Sequence, residues 1–254
     1  MSQLLVDAGN SRLKWALCDD GQLQPSASLS YDWSDFSAQL AVQWQGLPAR
    51  LDDTDKLVLA NVNGDRVAQG IASWVKEHAS LTIENVEAQA AAFGVRCAYA
   101  DPGQMGADRW AALVAARHHM TGASCIIDCG TALTIDVLGA DGRHAGGVIV
   151  PGLAMMRDSL RAKSARIQLG ESTVTSLFEV KTTQDAVGLG ALTAAAGAVE
   201  EVLAQAEQAW AERPTCIVTG GDAAFLLSVL RTPCRHEPDW VLKGLAVMAA
   251  GMPL

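Results

Sequence analysis

Two stretches of this sequence join an acidic residue to a glycine-containing turn of small polar residues. The first is Asp7-Ala8-Gly9-Asn10-Ser11, running on into Arg12, Leu13 and Lys14. The second is Asp128-Cys129-Gly130-Thr131-Ala132-Leu133-Thr134-Ile135-Asp136. A tight glycine turn exposes backbone N–H groups that can bind phosphate oxygens, and Asn, Ser and Thr side chains add donors. Asp7 closes an apolar run and can hold Mg²⁺ through water, because that ion prefers carboxylate and water oxygens. Taken singly, each stretch reads equally as an ordinary hairpin turn. As a pair they can grip one polyphosphate from two sides. Neither a Walker A pattern nor a G-x-G-x-x-G opens a helix in this chain, so phosphate binding falls to these turns.

A third stretch, Gly106-Ala107-Asp108-Arg109, opens a helical pattern. Here Asp108 can accept the proton of an attacking hydroxyl while Arg109 grips a carboxylate in a bidentate fork. The bland alternative is a capping carboxylate beside a surface cation. A fourth, Thr219-Gly220-Gly221-Asp222, reads by itself as a plain strand-to-helix turn or as one whose backbone a ligand can approach.

The elements that must position these residues show an internal repeat. Residues 4–21 align without a gap on residues 125–142, at a constant offset of 121 (128 minus 7). Half-chain self-similarity points to two copies of one domain rather than a solenoid. In each copy an apolar run (4–6, 125–127) predicts a buried strand ending in the Asp-x-Gly turn. A second strand (13–18, 133–138) then runs to Asp20-Gly21 or Asp141-Gly142, both type I′ hairpin signals. A third strand, Gly146–Val150, stops at Pro151-Gly152. Helical patterns cover 34–44 (N-cap Ser34), 66–78, 108–118, 183–211, the segment after Asp222 to Leu230, and 241–251, with strands at 57–60 and 216–218. The glycines at 188, 190 and 197 allow close helix packing, including across a subunit interface.

With 50% hydrophobic and 19% charged residues in 254, the chain has enough apolar surface for two packed cores. Its net charge of -9 supplies no field for a nucleic-acid backbone. Asp7, Arg12 and Lys14 interrupt any signal-peptide core, and no run approaches the roughly 18 apolar residues of a membrane span. The six scattered cysteines therefore read as reduced thiols of a cytoplasmic protein, without zinc-site spacing.

The four motifs, together with Gly146-Gly147-x-Ile149-x-Pro151-Gly152, occur in one order over nearly the whole chain. In that order they resemble the type III pantothenate kinases, a family of the actin and acetate/sugar kinase superfamily. The resemblance implies an α/β fold: two duplicated actin-like (ribonuclease H-like) domains, 1–120 and 121–254, with an interdomain cleft. It implies ATP-dependent phosphorylation of pantothenate to 4′-phosphopantothenate, the first step of coenzyme A biosynthesis, by a homodimer. ATP is expected on Asp7, Ala8, Gly9, Asn10, Ser11, Arg12, Leu13 and Lys14, on Gly130, Thr131 and Thr134, and on Gly220 and Gly221. Pantothenate is expected on Tyr99, Gly106, Ala107, Asp108 and Arg109, with Asp108 as the base. Thr183 matches a threonine that the family presents from the partner subunit. Asp128 resembles the residue beside a monovalent cation, K⁺ or NH₄⁺, with Mg²⁺ near Asp7. Ser164-Ala165-Arg166-Ile167 stands where the family often carries Thr-Ala-x-Leu-Pro. Two rival readings are a kinase of the same superfamily acting on a sugar or small acid, and an accessory factor in transcription.

Overall fold

The computed structural model describes residues 2–31, 34–51, 55–163 and 172–251. The Ser164–Ile167 segment lies outside the described residues. The chain divides into two compact units: Met1–Met120 together with Asp239–Leu254, and Thr121–Pro238.

In the first unit, β1 (Ser2–Ala8) and β2 (Arg12–Asp19) form an antiparallel hairpin, extended by β3 (Gln22–Leu23) and β4 (Ala27–Ser30). Helix α1 (Phe36–Trp44) leads to β5 (Lys56–Asn61), then α2 (Asp65–His78) and β6 (Thr82–Asn85). A small hairpin, β7 (Ala91–Ala92) and β8 (Val95–Arg96), precedes α3 (Ala107–His119). The sheet order is β3-β2-β1-β5-β6, with β4 also on β2, and β5 and β6 run parallel to β1. Alternation along β1 sends Leu4, Val6 and Ala8 into one core with Leu13, Trp15 and Leu17 of β2. Trp44 and Trp74 close that core, edge to face at 5.0 Å between ring centroids. Asp7 therefore lies on the opposite face, directly across from Lys14.

The second unit repeats the plan. Its strands β9 (Ser124–Cys129), β10 (Ala132–Leu138) and β11 (His144–Pro151) form the meander. Helices α4 (Leu153–Lys163) and α5 (Thr183–Trp210) follow, then β12 (Thr215–Thr219), α6 (Ala223–Leu227) and β13 (Cys234–His236). The order is β11-β10-β9-β12-β13, with β9, β12 and β13 parallel. Meander, then two parallel strands, is the order of the first unit, and this duplication is the actin-like, ribonuclease H-like α/β fold. Helix α7 (Trp240–Ala249) ends the chain's description and belongs to the first unit, where Trp240 Nε1 donates to Ala112 O of α3 at 3.1 Å. The sequence division had carried it with the second half.

The two hairpins differ by one residue. A fixed offset of 121 puts Asp128 opposite Ile135, but its partner is Thr134. The first turn closes from Gly9 N–H to Arg12 O at 3.0 Å, the second from Gly130 N–H to Ala132 O at 3.1 Å. The shorter turn keeps Leu133, Ile135 and Val137 in the core, which a one-residue slip would turn outward. The later turns also differ. Asp20 and Gly21 both have positive φ (49° and 80°), as type I′ requires, whereas of Asp141 and Gly142 only the glycine does (78°). Gly139 N–H reaches Arg143 O at 2.9 Å, so the type I′ expectation at 141–142 gives way to a longer loop. Asp35 rather than Ser34 stands at the N-cap of α1, and Asp222 holds that place on α6, neither with a side-chain cap bond.

Helix α5 corrects the reading of apolar runs. It is long and apolar enough to cross a membrane by length and composition. In this fold its Ala191, Ala195, Val199, Leu203 and Ala206 stripe is buried in the second core.

Candidate functional site

The Asp7–Ser11 turn joins β1 to β2 at the C-terminal end of the parallel strands. Asn10, Ser11 and Arg12 are exposed, whereas Ala8 and Leu13 are fully buried in the core. Those last two residues show no accessible surface. The turn is tied to the segment that follows β5. Val62 N–H donates to Ala8 O at 3.1 Å. Asn63 Nδ2 reaches Gly9 O at 2.9 Å, Asn10 O at 3.0 Å and Tyr31 Oη at 2.7 Å, and the Tyr31 hydroxyl itself donates to Gly9 O. Asn63 N–H in turn donates to Asn61 Oδ1 at 3.0 Å. Burial and the nearby charge of Asp7 outweigh the bond from Asn63 and raise the Tyr31 pKa, so its hydroxyl stays a proton donor.

Lys14 Nζ forms an ion pair with Asp239 Oδ1 at 2.7 Å, and Ser26 Oγ donates to the same oxygen at 2.7 Å. Burial opposes the charge of Asp239, but the bonds from Lys14 and Ser26 outweigh it and hold the carboxyl below its ordinary value.

The Gly106–Arg109 motif forms the N-terminus of α3. A Cβ on Gly106 would sit 2.5 Å from Asp108 Oδ1 and 3.4 Å from Val62 Cγ1. The missing side chain is thus the space the Asp108 carboxylate uses, and it brings this helix start beside the residue bonded to Ala8 O. Asp108 is half-buried and accepts from Arg109 N–H at 2.7 Å. Arg109 is 6% exposed, and its Nη1 donates to Tyr99 Oη at 2.8 Å, with Cζ 5.6 Å from the Tyr99 ring centre. Ala107 is buried.

In the second unit three turns meet. Asp222 N–H donates to Cys129 O at 2.9 Å, and Gly152 N–H to Thr131 O at 3.0 Å. A Cβ on Gly152 would lie 2.3 Å from Gly130 O, and one on Gly220 2.5 Å from Asp128 Oδ1. The predicted phosphate turn (Gly130, Thr131), the Pro151-Gly152 stop and the Gly220-Gly221 turn therefore form one cluster. Thr134 lies across from Asp128 on the same sheet face. Burial first, then the charges of Asp222 and Asp128, push the Cys129 thiol up to about 12. Thr183 is exposed at the first position of α5, next to a capping box in which Thr182 Oγ1 accepts from Asp185 N–H at 3.1 Å.

Among the described residues no group of three His, Cys, Asp or Glu stands ready for a metal ion. A divalent ion that keeps waters and substrate phosphates in its shell needs only a carboxylate or two from the protein. A cavity of about 310 Å³ lined by Pro48, Leu51, Lys76 and Leu81 lies at the far end of α2 from Gly64 and holds none of these residues. Sequence reasoning missed Tyr31 and Asn63. The Asn61-x-Asn63-Gly64 cluster at a strand end was the available signal.

The sequence model of the type III pantothenate kinase family matches residues 3–205. The chain belongs to the type III pantothenate kinase family. A member named type III pantothenate kinase, from Nitrosococcus oceani, is 38% identical over 251 residues, covering 97% of this chain and 93% of its own. Among solved structures, a Campylobacter jejuni protein named as a Baf family transcriptional activator matches with a TM-score of 0.60 at 20% identity, over 98% of both chains. The activator of 2-hydroxyisocaproyl-CoA dehydratase from Clostridium difficile, solved with bound ADPNP, matches at 0.57 and 13% identity, over 98% of this chain and 94% of its own. These two likenesses share the fold.

Proposed function

We propose that this chain transfers the γ-phosphoryl group of ATP to the primary hydroxyl of pantothenate, giving 4′-phosphopantothenate for coenzyme A synthesis. Family membership, with a relative matched along nearly the full chain, carries this reading, and the half-buried Asp108 beside the buried Arg109 and its half-buried partner Tyr99 supports it. The turns Asp7–Ser11 and Asp128–Thr134 are its phosphate-binding elements, and Gly220-Gly221 receives the adenosine. Arg109 binds the pantothenate carboxylate, steadied by Tyr99. Asp108 accepts the hydroxyl proton as the hydroxyl oxygen forms its bond to the γ-phosphorus and the bond from that phosphorus to the β–γ bridging oxygen breaks. Catalysis of this kind is mostly positioning and charge neutralisation. Mg²⁺ held through water near Asp7, and K⁺ or NH₄⁺ beside Asp128, would neutralise phosphate charge.

The chain acts as a homodimer in this reading, with Thr183 offered to a partner's substrate. An added Cβ at Gly190 or Gly197 would meet nothing within 4 Å, so that side of α5 has room for a second copy. A monomer by light scattering at micromolar concentration contradicts this. All six cysteines are free thiols, the state a reducing cytoplasm maintains. Mass spectrometry of the products from MgATP and a mixture of pantothenate, sugars and small hydroxy acids tests the whole reading: one phosphate added to pantothenate supports it, and unchanged pantothenate alongside a phosphorylated sugar or other acid rejects it.

A further inference from the structure

We infer that Asn63, braced by Tyr31, is a positioning residue that aims the backbone N–H groups of Asn10 and Ser11 at the nucleotide phosphates. The inference rests on the kinase reading and adds to it the element that shapes the first phosphate turn. In a trans peptide the C=O and N–H point in opposite directions, and the described backbone contains no cis bond. Asn63 Nδ2 holds Gly9 O at 2.9 Å and Asn10 O at 3.0 Å, and Tyr31 also donates to Gly9 O. Both carbonyls are thereby drawn inward. The N–H groups of the same two peptide units, those of Asn10 and Ser11, must then face outward, where both residues are exposed. Two adjacent N–H groups aimed at one point form an anion-binding nest. Gly9 N–H takes no part, since it donates to Arg12 O.

In the second unit backbone groups hold carbonyls of the turn. There Asp222 N–H and Gly152 N–H hold the carbonyls of Cys129 and Thr131. In the first turn Val62 N–H likewise holds Ala8 O, and side chains from two other elements hold the next two carbonyls, those of Gly9 and Asn10. Asn63 is itself fixed, through its N–H to Asn61 Oδ1 and by Tyr31 Oη, which accepts from Nδ2 at 2.7 Å. Tyr31 is 9% exposed and packs edge to face on Phe36, so the brace is rigid.

The experiment compares wild type, Asn63→Asp and Tyr31→Phe by steady-state kinetics and by calorimetric titration with MgATP and with adenosine. Asn63→Asp keeps the size of the side chain but turns an oxygen on the two carbonyls. Losing one to two hydrogen bonds of positioning predicts a KM for MgATP raised about tenfold, and about threefold in Tyr31→Phe. The KM for pantothenate and the affinity for adenosine should stay within about twofold, because neither uses the turn. A MgATP KM within twofold of wild type in both folded variants overturns the inference, and so does an equal rise for both substrates, which indicates general loosening. Should Asn63→Asp not fold, Tyr31→Phe decides alone. If wild type phosphorylates another acceptor and not pantothenate while the MgATP effect persists, the pantothenate reading fails and this inference stands.

Discussion

Gly220 stands against Asp128 so closely that a Cβ on it would lie 2.5 Å from the carboxylate and 2.4 Å from Cys129 O, at a φ of 94°. Only glycine serves both the backbone shape and the contact. Gly220→Ala is expected to cost about 1–3 kcal/mol in backbone strain and to push the β12–α6 turn off the phosphate turn. Thermal unfolding should show a lower Tm, and kinetics a raised KM for ATP with that for pantothenate less affected. An unchanged Tm and ATP KM would contradict the three-turn cluster.

The Arg109–Tyr99 bond sets a second expectation. Arg109→Lys keeps the charge but loses the fork and the stacked plane, so it should raise the KM for pantothenate by about tenfold or more, as loss of a charge-assisted hydrogen bond does. Tyr99→Phe should raise it less. An unchanged pantothenate KM in Arg109→Lys would remove Arg109 from substrate recognition.

Asp108→Asn separates catalysis from folding. Asn can still accept the Arg109 N–H bond at the start of α3, so the loss of stability should be within about 1 kcal/mol, mostly the lost charge at a helix N-terminus. Removing a general base lowers turnover by ~10²–10⁴. Near-wild-type kcat in a folded variant would take the role of base from Asp108.

How much of this was legible in the sequence depends on distance along the chain. The Asp-x-Gly turns, the strands they end and the helix start at Gly106 are local patterns, and the repeat made the two similar sheets readable. The one-residue offset between Asp7–Lys14 and Asp128–Thr134 was not, because it is set by which side chains the core accepts. Nor was the clasp of Asn63 and Tyr31 on Gly9, whose members come from three separate elements. Helix α7 was misassigned for the same reason: its apolar pattern says that it is buried, not against which unit.

His118 offers a pH test. Burial, set against a hydrogen bond that the ring donates to the Phe93 backbone, lowers its pKa below the ordinary 6.5, and its buried Nε2 has no hydrogen-bond partner. Below pH 6.5 the unfolded chain then binds more protons at this position than the folded one, so stability falls as pH drops through that value toward the folded pKa. His118→Gln should lose less Tm than wild type between pH 7.5 and 5.5. An identical decline in both proteins would show that His118 carries none of it.

ADP release coupled to an indicator enzyme reads the phosphoryl transfer directly. With MgATP and K⁺, release should depend on added pantothenate and should collapse when Na⁺ replaces K⁺. No release above the pantothenate-free blank with K⁺, NH₄⁺ or Na⁺, from protein shown to be folded, would contradict the account.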